Sequence, residues 1–211
     1  MMIAVDIGNS TFKFGFIKDG EFTDKKVITK LSYSDLAFLK KIDHEAIYIA
    51  SVVPKRTIEL TDILVNDFQI IPKLITTNSK FSFSIEYKNI NSLGVDRMCG
   101  IEGALFYLNN LGVENNFSIV TIDVGTAVTI NYLNDENKFS GGIISPGPYT
   151  MVKSLRSGTA QLPFVKLDNY VSILGHDTHS SIASGVINSV VGLIERVDKY
   201  FQGRKIKNIK Y

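Results

Sequence analysis

The sequence predicts an α/β fold built from two related halves. Three observations carry this: an internal echo, a period-2 alternation after each copy of the echo, and a strand–helix succession elsewhere. The echo sets Ala4-Val5-Asp6-Ile7-Gly8-Asn9-Ser10-Thr11-Phe12-Lys13-Phe14 against Thr121-Ile122-Asp123-Val124-Gly125-Thr126-Ala127-Val128-Thr129-Ile130-Asn131, 117 positions later. Each copy reads as an apolar strand, a turn at Asp-x-Gly and an antiparallel return strand. The halves are expected at 1–113 and 114–211, joined through the turn-rich Leu111–Asn116.

The elements follow in order. Phe12, Phe14 and Phe16 alternate with smaller or polar residues, which marks the first return strand. A third strand is expected near Lys25–Lys30 and a helix at Ser34–Lys41. Ile47–Val53 is a strongly apolar strand closed by Pro54, followed by a helix over Arg56–Val65. A short strand is expected at Gln69–Ile71, ending at Pro72, and Ser82–Tyr87 alternates again. A helix over 94–110 places Met98, Ile101, Leu105 and Leu108 on one face. Its Gly100, Gly103 and Ala104 are expected to allow close packing. Asp96 falls in its first turn, at the positive end of the helix dipole.

In the second half, Val128, Ile130 and Tyr132 alternate with Thr129 and Asn131. Gly141-Gly142-Ile143-Ile144-Ser145-Pro146-Gly147-Pro148 is a strand broken at both ends by turn residues, a pattern expected where backbone approaches something closely. Helices are expected at Tyr149–Ser157 and from Thr178 to Tyr200, with an extended stretch at Thr159–Pro163 between them.

Composition excludes several classes. Of the 211 residues, 45% are hydrophobic, against 23 basic and 21 acidic side chains, which argues for a folded chain rather than a disordered one. The single cysteine, Cys99, cannot form an intrachain disulfide, which fits a reducing, cytoplasmic compartment. No zinc-site spacing is present. No apolar run reaches the ~18–20 residues of a membrane span, and the N-terminus lacks the pattern of a signal peptide. The last 13 residues carry +5 and the other 198 carry −3. An acidic body with a basic end is a poor platform for nucleic acid. His44, His176 and His179 are expected at the surface or an interface.

The chemistry-bearing groups centre on the two echoed turns. Asp6 beside Gly8, Asn9 and Ser10 offers a carboxylate next to a run of backbone N–H donors, a combination suited to Mg²⁺ with phosphate. Lys13, three residues past Ser10, can neutralise phosphate charge. Asp123-x-Gly125-Thr126 is a second turn of the same kind, expected to face the first across a nucleotide cleft. Alone, either turn would be an ordinary hairpin. No Walker motif or dinucleotide fingerprint exists in the chain. Asp96-Arg97 supplies a candidate base and a cation for an anionic group. Phosphoryl transfer needs little more than phosphate neutralisation, a metal and a group that orients or deprotonates the nucleophile.

In this order the motifs resemble the type III pantothenate kinase family, within the acetate-kinase/sugar-kinase/Hsp70/actin superfamily. The matching stretches are Asp6–Ser10, Glu86–Asn89, Leu93–Arg97, Asp123–Thr129, Gly141–Gly147, Thr159–Pro163 and Thr178–Gly185. The resemblance implies two ribonuclease-H-like halves of an actin-like ATPase fold. It implies ATP-dependent phosphorylation of pantothenate, the first committed step towards coenzyme A. Asp6 would hold Mg²⁺ near the phosphates of ATP, with Gly8, Asn9, Ser10, Lys13, Gly125 and Thr126 around them. Asp96 would be the general base and Arg97 would grip pantothenate, with Tyr87, Gly94 and Val95 lining its pocket. Asp123 would bind an activating potassium or ammonium ion. Thr178 would reach the substrate of the other subunit in a homodimer whose pocket is built at the interface. Two further readings stay open on the residues alone: a catalytically weak nucleotide-binding relative with a regulatory or accessory role, and a kinase for another small hydroxyl substrate. The family continues with a strand, a Thr-Gly-Gly-type turn and a last helix, and the sequence is expected to lack them.

Overall fold

A computed structural model of the chain describes residues 1–113, 117–168, 172–204, 206 and 209–211. Of the expected junction Leu111–Asn116, residues 114–116 lie outside them. The chain divides into two compact units. One takes in Met1–Ser82 and Tyr87–Gly103, the other Phe83–Glu86 and Ala104–Tyr211.

The first unit is built on a five-stranded sheet in the order β3-β2-β1-β4-β5. Strands β1 (Met2–Ile7), β2 (Phe12–Lys18) and β3 (Glu21–Ile28) form an antiparallel meander. The β2–β3 turn uses Asp19 and Gly20, both left-handed at φ 52° and 83°. That geometry matches strand twist in a two-residue hairpin and favours an Asp-Gly pair. Strands β4 (Ala46–Ser51) and β5 (Lys73–Ile75) then run parallel to β1 and to each other. The alternation seen in the sequence has a direct packing consequence. Ile3, Val5, Ile7, Phe12, Phe14, Phe16, Ile47 and Ile49 are buried together with Leu60 and Leu64 of helix α2 (Pro54–Phe68). At ~25 cal/mol per Å² of apolar surface, this cluster is the main term holding the unit.

Two expectations in this unit need correction. The strand expected at Gln69–Ile71 does not form. Gln69 closes α2 in a left-handed conformation (φ 60°, ψ 32°), and Ile70 N–H donates to Leu64 O at 2.8 Å. Pro72 has no N–H for a ladder, so pairing starts only at Lys73. The single helix expected over Ser34–Lys41 is a short α1 (Tyr33–Leu36) followed by a 3-10 turn over Ala37–Lys41.

The second sheet has the order β10-β7-β8-β9-β6. Strands β7 (Ser118–Val124), β8 (Ala127–Leu133) and β9 (Lys138–Pro146) repeat the antiparallel meander of the first unit. β6 (Ser84–Ile85) adds to the β9 edge in parallel, which is why Phe83–Glu86 belongs with this unit. β10 (Ile209–Lys210) pairs parallel with β7, as β4 does with β1. The strand expected to be absent after the last helix is thus represented by two residues. Helix α3 (Val95–Asn110) leads from the first unit into the second. Helix α5 (Thr178–Gly203) lays Val190, Val197 and Phe201 on Val120, Val128 and Ile130. Helix α4 (Pro148–Gly158) packs Val152 with Ile182, Ala183 and Val186 of α5. The α/β class and the meander-plus-parallel-strand order of a ribonuclease-H-like half are therefore present in both units.

Glycines divide into two kinds. A Cβ on Gly147 would overlap the Gly125 carbonyl oxygen and lie 2.8 Å from Thr126 O. Among the described residues, a Cβ on Gly100 or Gly103 would meet no atom within 4 Å, so the close packing expected of those two in α3 is not seen there. Gly147→Ala is expected to destabilise by about 1–3 kcal/mol through forced backbone displacement. Gly100→Ala should stabilise by roughly 0.5–1 kcal/mol through helix propensity alone. Thermal unfolding of the two variants checks this, and equal melting temperatures would contradict the packing described.

Candidate active site

The first acidic turn is assembled by strand register. Asp6 near the end of β1 lies opposite Lys13 on β2, and Lys13 Nζ reaches Asp6 Oδ2 at 3.0 Å. Both side chains are about half exposed, so the pair contributes at most about 1 kcal/mol. Gly8 N–H donates to Thr11 O at 3.1 Å and closes the turn. Neither Gly8 nor Gly125 has a positive φ, so turn geometry does not demand glycine at either place. What the missing side chain gives is open space: among the described residues, a Cβ on Gly8 would meet only Thr11 O, at 4.0 Å.

Helix α2 holds this turn from behind. Arg56 Nη1 donates to Gly8 O at 2.5 Å and Nη2 to Thr29 O at 3.4 Å. The guanidinium lies 4.0 Å from the Phe12 ring centroid. Ser51 Oγ donates to Ile7 O at 3.5 Å and accepts from Thr57 Oγ1 at 2.6 Å. Sequence reasoning missed Arg56 and Ser51. Their partners lie 48 and 44 positions away, and only the parallel β1–β4 register brings them together.

Asp96 and Arg97 sit at the start of α3, as expected. Asp96 Oδ1 accepts from Arg97 N–H at 2.8 Å, and Arg97 N–H also donates to Gly94 O at 3.2 Å. The Asp96 carboxylate folds over Gly94 so closely that a Cβ there would collide with it. Any side chain at Gly94 would make the Asp96 carboxylate move. The Arg97 side chain is buried at 5% exposure, with its guanidinium 5.9 Å from the Tyr87 ring. One group reports on the whole neighbourhood. The Cys99 thiol is pushed up to about 11, first by burial and then by the carboxylates of Asp96, Asp6 and Glu102. Asp6 and Asp96, from separate elements of the first unit, therefore act on one point.

In the second unit, Asp123 and Gly125 form the echoed turn, with Gly125 N–H on Ala127 O at 2.9 Å. Asp123 is exposed. The Thr126 carbonyl is captured twice, by Gly147 N–H at 3.0 Å and by Thr150 Oγ1 at 2.5 Å. The glycine- and proline-rich stretch before α4 thus bends closely around the second acidic turn. Thr178 opens α5 and is exposed; Asp177 caps the helix through Ser180 N–H at 2.9 Å. Those bonds to Ser180 hold the Asp177 carboxyl below its ordinary value. Thr178 lines a groove of about 930 Å³ between α4 and α5, together with Met151, Leu155, Leu162 and Ile182.

The sequence is matched by known proteins. The type III pantothenate kinase family model covers residues 2–199. The chain belongs to the type III pantothenate kinase family. A type III pantothenate kinase of Sulfurihydrogenibium sp. is 34% identical over 210 residues, spanning 93% of this chain and 81% of the relative. Another, from Bifidobacterium adolescentis, is 29% identical over 214 residues, spanning 95% and 81%. Among solved structures, a conserved Baf family protein from Campylobacter jejuni aligns with a TM-score of 0.55 at 20% identity. It spans 92% of this chain and 78% of that one, a likeness of fold. The candidate site residues singled out in the sequence fall in two groups. Asp6, Gly8, Asn9, Ser10, Lys13, Tyr87, Gly94, Val95, Asp96 and Arg97 belong to the first unit, and Asp123, Gly125, Thr126 and Thr178 to the second. Among the described residues, no helix is long and apolar enough to cross a membrane.

Cys99 gives a solution test of the carboxylate neighbourhood. Its ordinary value of 9.0 rises to about 11 in the folded protein. Alkylation by iodoacetamide at pH 8 should therefore run about a hundredfold slower in the native protein than in denaturant, following the thiolate fraction. The native rate should climb through pH 11. A native midpoint near 9 would contradict the burial of Cys99 beside the carboxylates of Asp96 and Asp6.

Proposed function

We propose that this kinase transfers the γ-phosphoryl group of ATP to the hydroxyl of pantothenate, giving 4′-phosphopantothenate and ADP. Membership of the family over residues 2–199 is the observation that carries the reading. The substituents of the first unit support it. Asp96, oriented by the Arg97 N–H, accepts the proton of the substrate hydroxyl as its oxygen attacks the γ-phosphorus. The new O–P bond forms as the bond to the β,γ-bridging oxygen breaks. Arg97, buried beside Tyr87, grips pantothenate and fixes its hydroxyl against Asp96. Gly94 and Val95 form the floor below it. Lys13 leaves Asp6 for the phosphates, and the Asn9 and Ser10 N–H groups add hydrogen bonds to them.

Asp6 fits a magnesium that arrives with the nucleotide. Mg²⁺ is commonly held by one or two carboxylates plus phosphate oxygens and water, and Asp6 is one half-exposed carboxylate beside an open turn. When bound, the metal neutralises charge on the phosphates. Asp123 takes a potassium or ammonium ion, and Gly125 and Thr126 contact phosphate. The working form is a cytoplasmic homodimer in which Thr178 reaches the pantothenate of the other subunit.

Turnover is the test. With Mg·ATP, potassium and pantothenate, the protein should form phosphopantothenate. Asp96→Asn should lower kcat by about 10²–10⁴-fold, the span usual for loss of a general base. Nucleotide binding without any pantothenate turnover would refute the assignment. Potassium or ammonium should raise the rate where choline does not, and Asp123→Asn should flatten that difference. A rate indifferent to the salt would remove Asp123 from the cation site.

A further inference from the structure

Arg56 occupies a place that local rules disfavour. It lies in the first turn of α2 beside Lys55, where the helix dipole is positive and acidic residues are preferred. Two cations there raise the local cost, so another interaction must compensate. The structure shows it: the guanidinium donates to Gly8 O and to Thr29 O and lies over the Phe12 ring. Phe12 is a core residue at 1% exposure, so the ring is a fixed platform. A planar cation that bonds two carbonyls while stacked on a ring is held in one orientation, which lysine cannot copy.

The consequence lies across one peptide bond. In a trans peptide the C=O and the following N–H point in opposite directions. No cis peptide occurs among the described residues. Drawing the Gly8 carbonyl towards α2 therefore turns the Asn9 N–H away from α2, to the open side of the turn. Ser51 acts likewise on the Ile7 carbonyl, and the Gly8 N–H that follows is engaged by Thr11 O. The Asn9 N–H is thus the donor that Arg56 orients. The same guanidinium places a fixed positive charge directly behind the turn.

We infer that Arg56 is a positioning residue for the phosphate-binding turn, acting on the phosphate donor and not on the hydroxyl acceptor. The inference rests on the kinase reading for the identity of the donor, but its geometry concerns the nucleotide alone. It makes a kinetic signature that a purely structural role would not. Arg56→Met keeps the stem packed and removes the charge and both hydrogen bonds. It should raise KM for Mg·ATP by roughly ten- to a hundredfold, the usual weight of a charged hydrogen bond. KM for pantothenate should stay within about twofold, a change too small to represent a lost contact. Arg56→Lys keeps the charge and one bond, and should recover part of the loss.

The experiment pairs steady-state kinetics with calorimetric titration of Mg·ADP into the wild type, Arg56→Met and Arg56→Lys, each checked by thermal unfolding. A selective loss of ATP and ADP affinity, with partial recovery in Arg56→Lys, supports the inference. If the wild type turns over pantothenate and Arg56→Met lowers only the melting temperature or the active fraction, with nucleotide affinity intact, the inference fails and the kinase reading stands. If the wild type binds Mg·ADP without using pantothenate and Arg56→Met weakens that binding, the inference stands and the substrate assignment fails. A wild type that binds no nucleotide overturns both. Should Arg56→Met fail to fold, Arg56→Lys with unchanged nucleotide affinity is the overturning result.

Discussion

One carbonyl oxygen in each of the two acidic turns is held from behind, and the shape of each turn depends on that. In the first unit the Gly8 carbonyl is taken by Arg56 from α2. In the second, the Thr126 carbonyl is taken by Gly147 N–H and Thr150 at the start of α4. Both helices begin with proline, Pro54 and Pro148, whose fixed φ suits the first helical position. A short turn exposed at a sheet end would otherwise sample many conformations, at ~1–2 kcal/mol of backbone entropy per residue. Capture of its carbonyls by a helix seated on the core removes that freedom before any ligand arrives, so ligand affinity is not spent on ordering the turn.

The core explains why the capture is rigid. Ile7 and Phe12 flank the first turn and are both buried, as are Leu60 and Leu64 further along α2. The turn and the helix that grips it are therefore anchored in one apolar cluster. Asp6 and Lys13 neutralise each other above that cluster through a half-exposed pair. Asp96 is held differently, by the helix N-terminus and by an absent side chain at Gly94. The phosphoryl transfer we propose gives the two carboxylates separate parts, Asp6 at the metal and Asp96 at the substrate hydroxyl.

Much of this was legible in the sequence because its signals are local. The alternation of Phe12, Phe14 and Phe16 reports a buried face directly, and Asp-x-Gly reports a turn. Two echoed turns 117 positions apart report a repeated unit. What was not legible depends on distance along the chain. Arg56 carries no motif, and its partner lies 48 positions away. Gly147 stood out as part of a glycine-rich strand, but only the structure shows that it faces Gly125. Gln69–Ile71 looked like a strand because apolar content outweighed the left-handed helix end that the tertiary packing selects. Gly100 and Gly103 suggested close packing, yet nothing described lies near them, because composition cannot say which side of a helix is covered.

The phosphoryl transfer we propose requires Asp6 as the carboxylate through which this chain meets a metal-bound phosphate. Calorimetric titration of ADP into the wild type and Asp6→Asn, with and without magnesium, measures that directly. Wild-type affinity should rise with magnesium, and in Asp6→Asn that dependence should vanish while the fold persists. An Asp6→Asn protein whose nucleotide affinity still responds to magnesium as the wild type does would contradict the account.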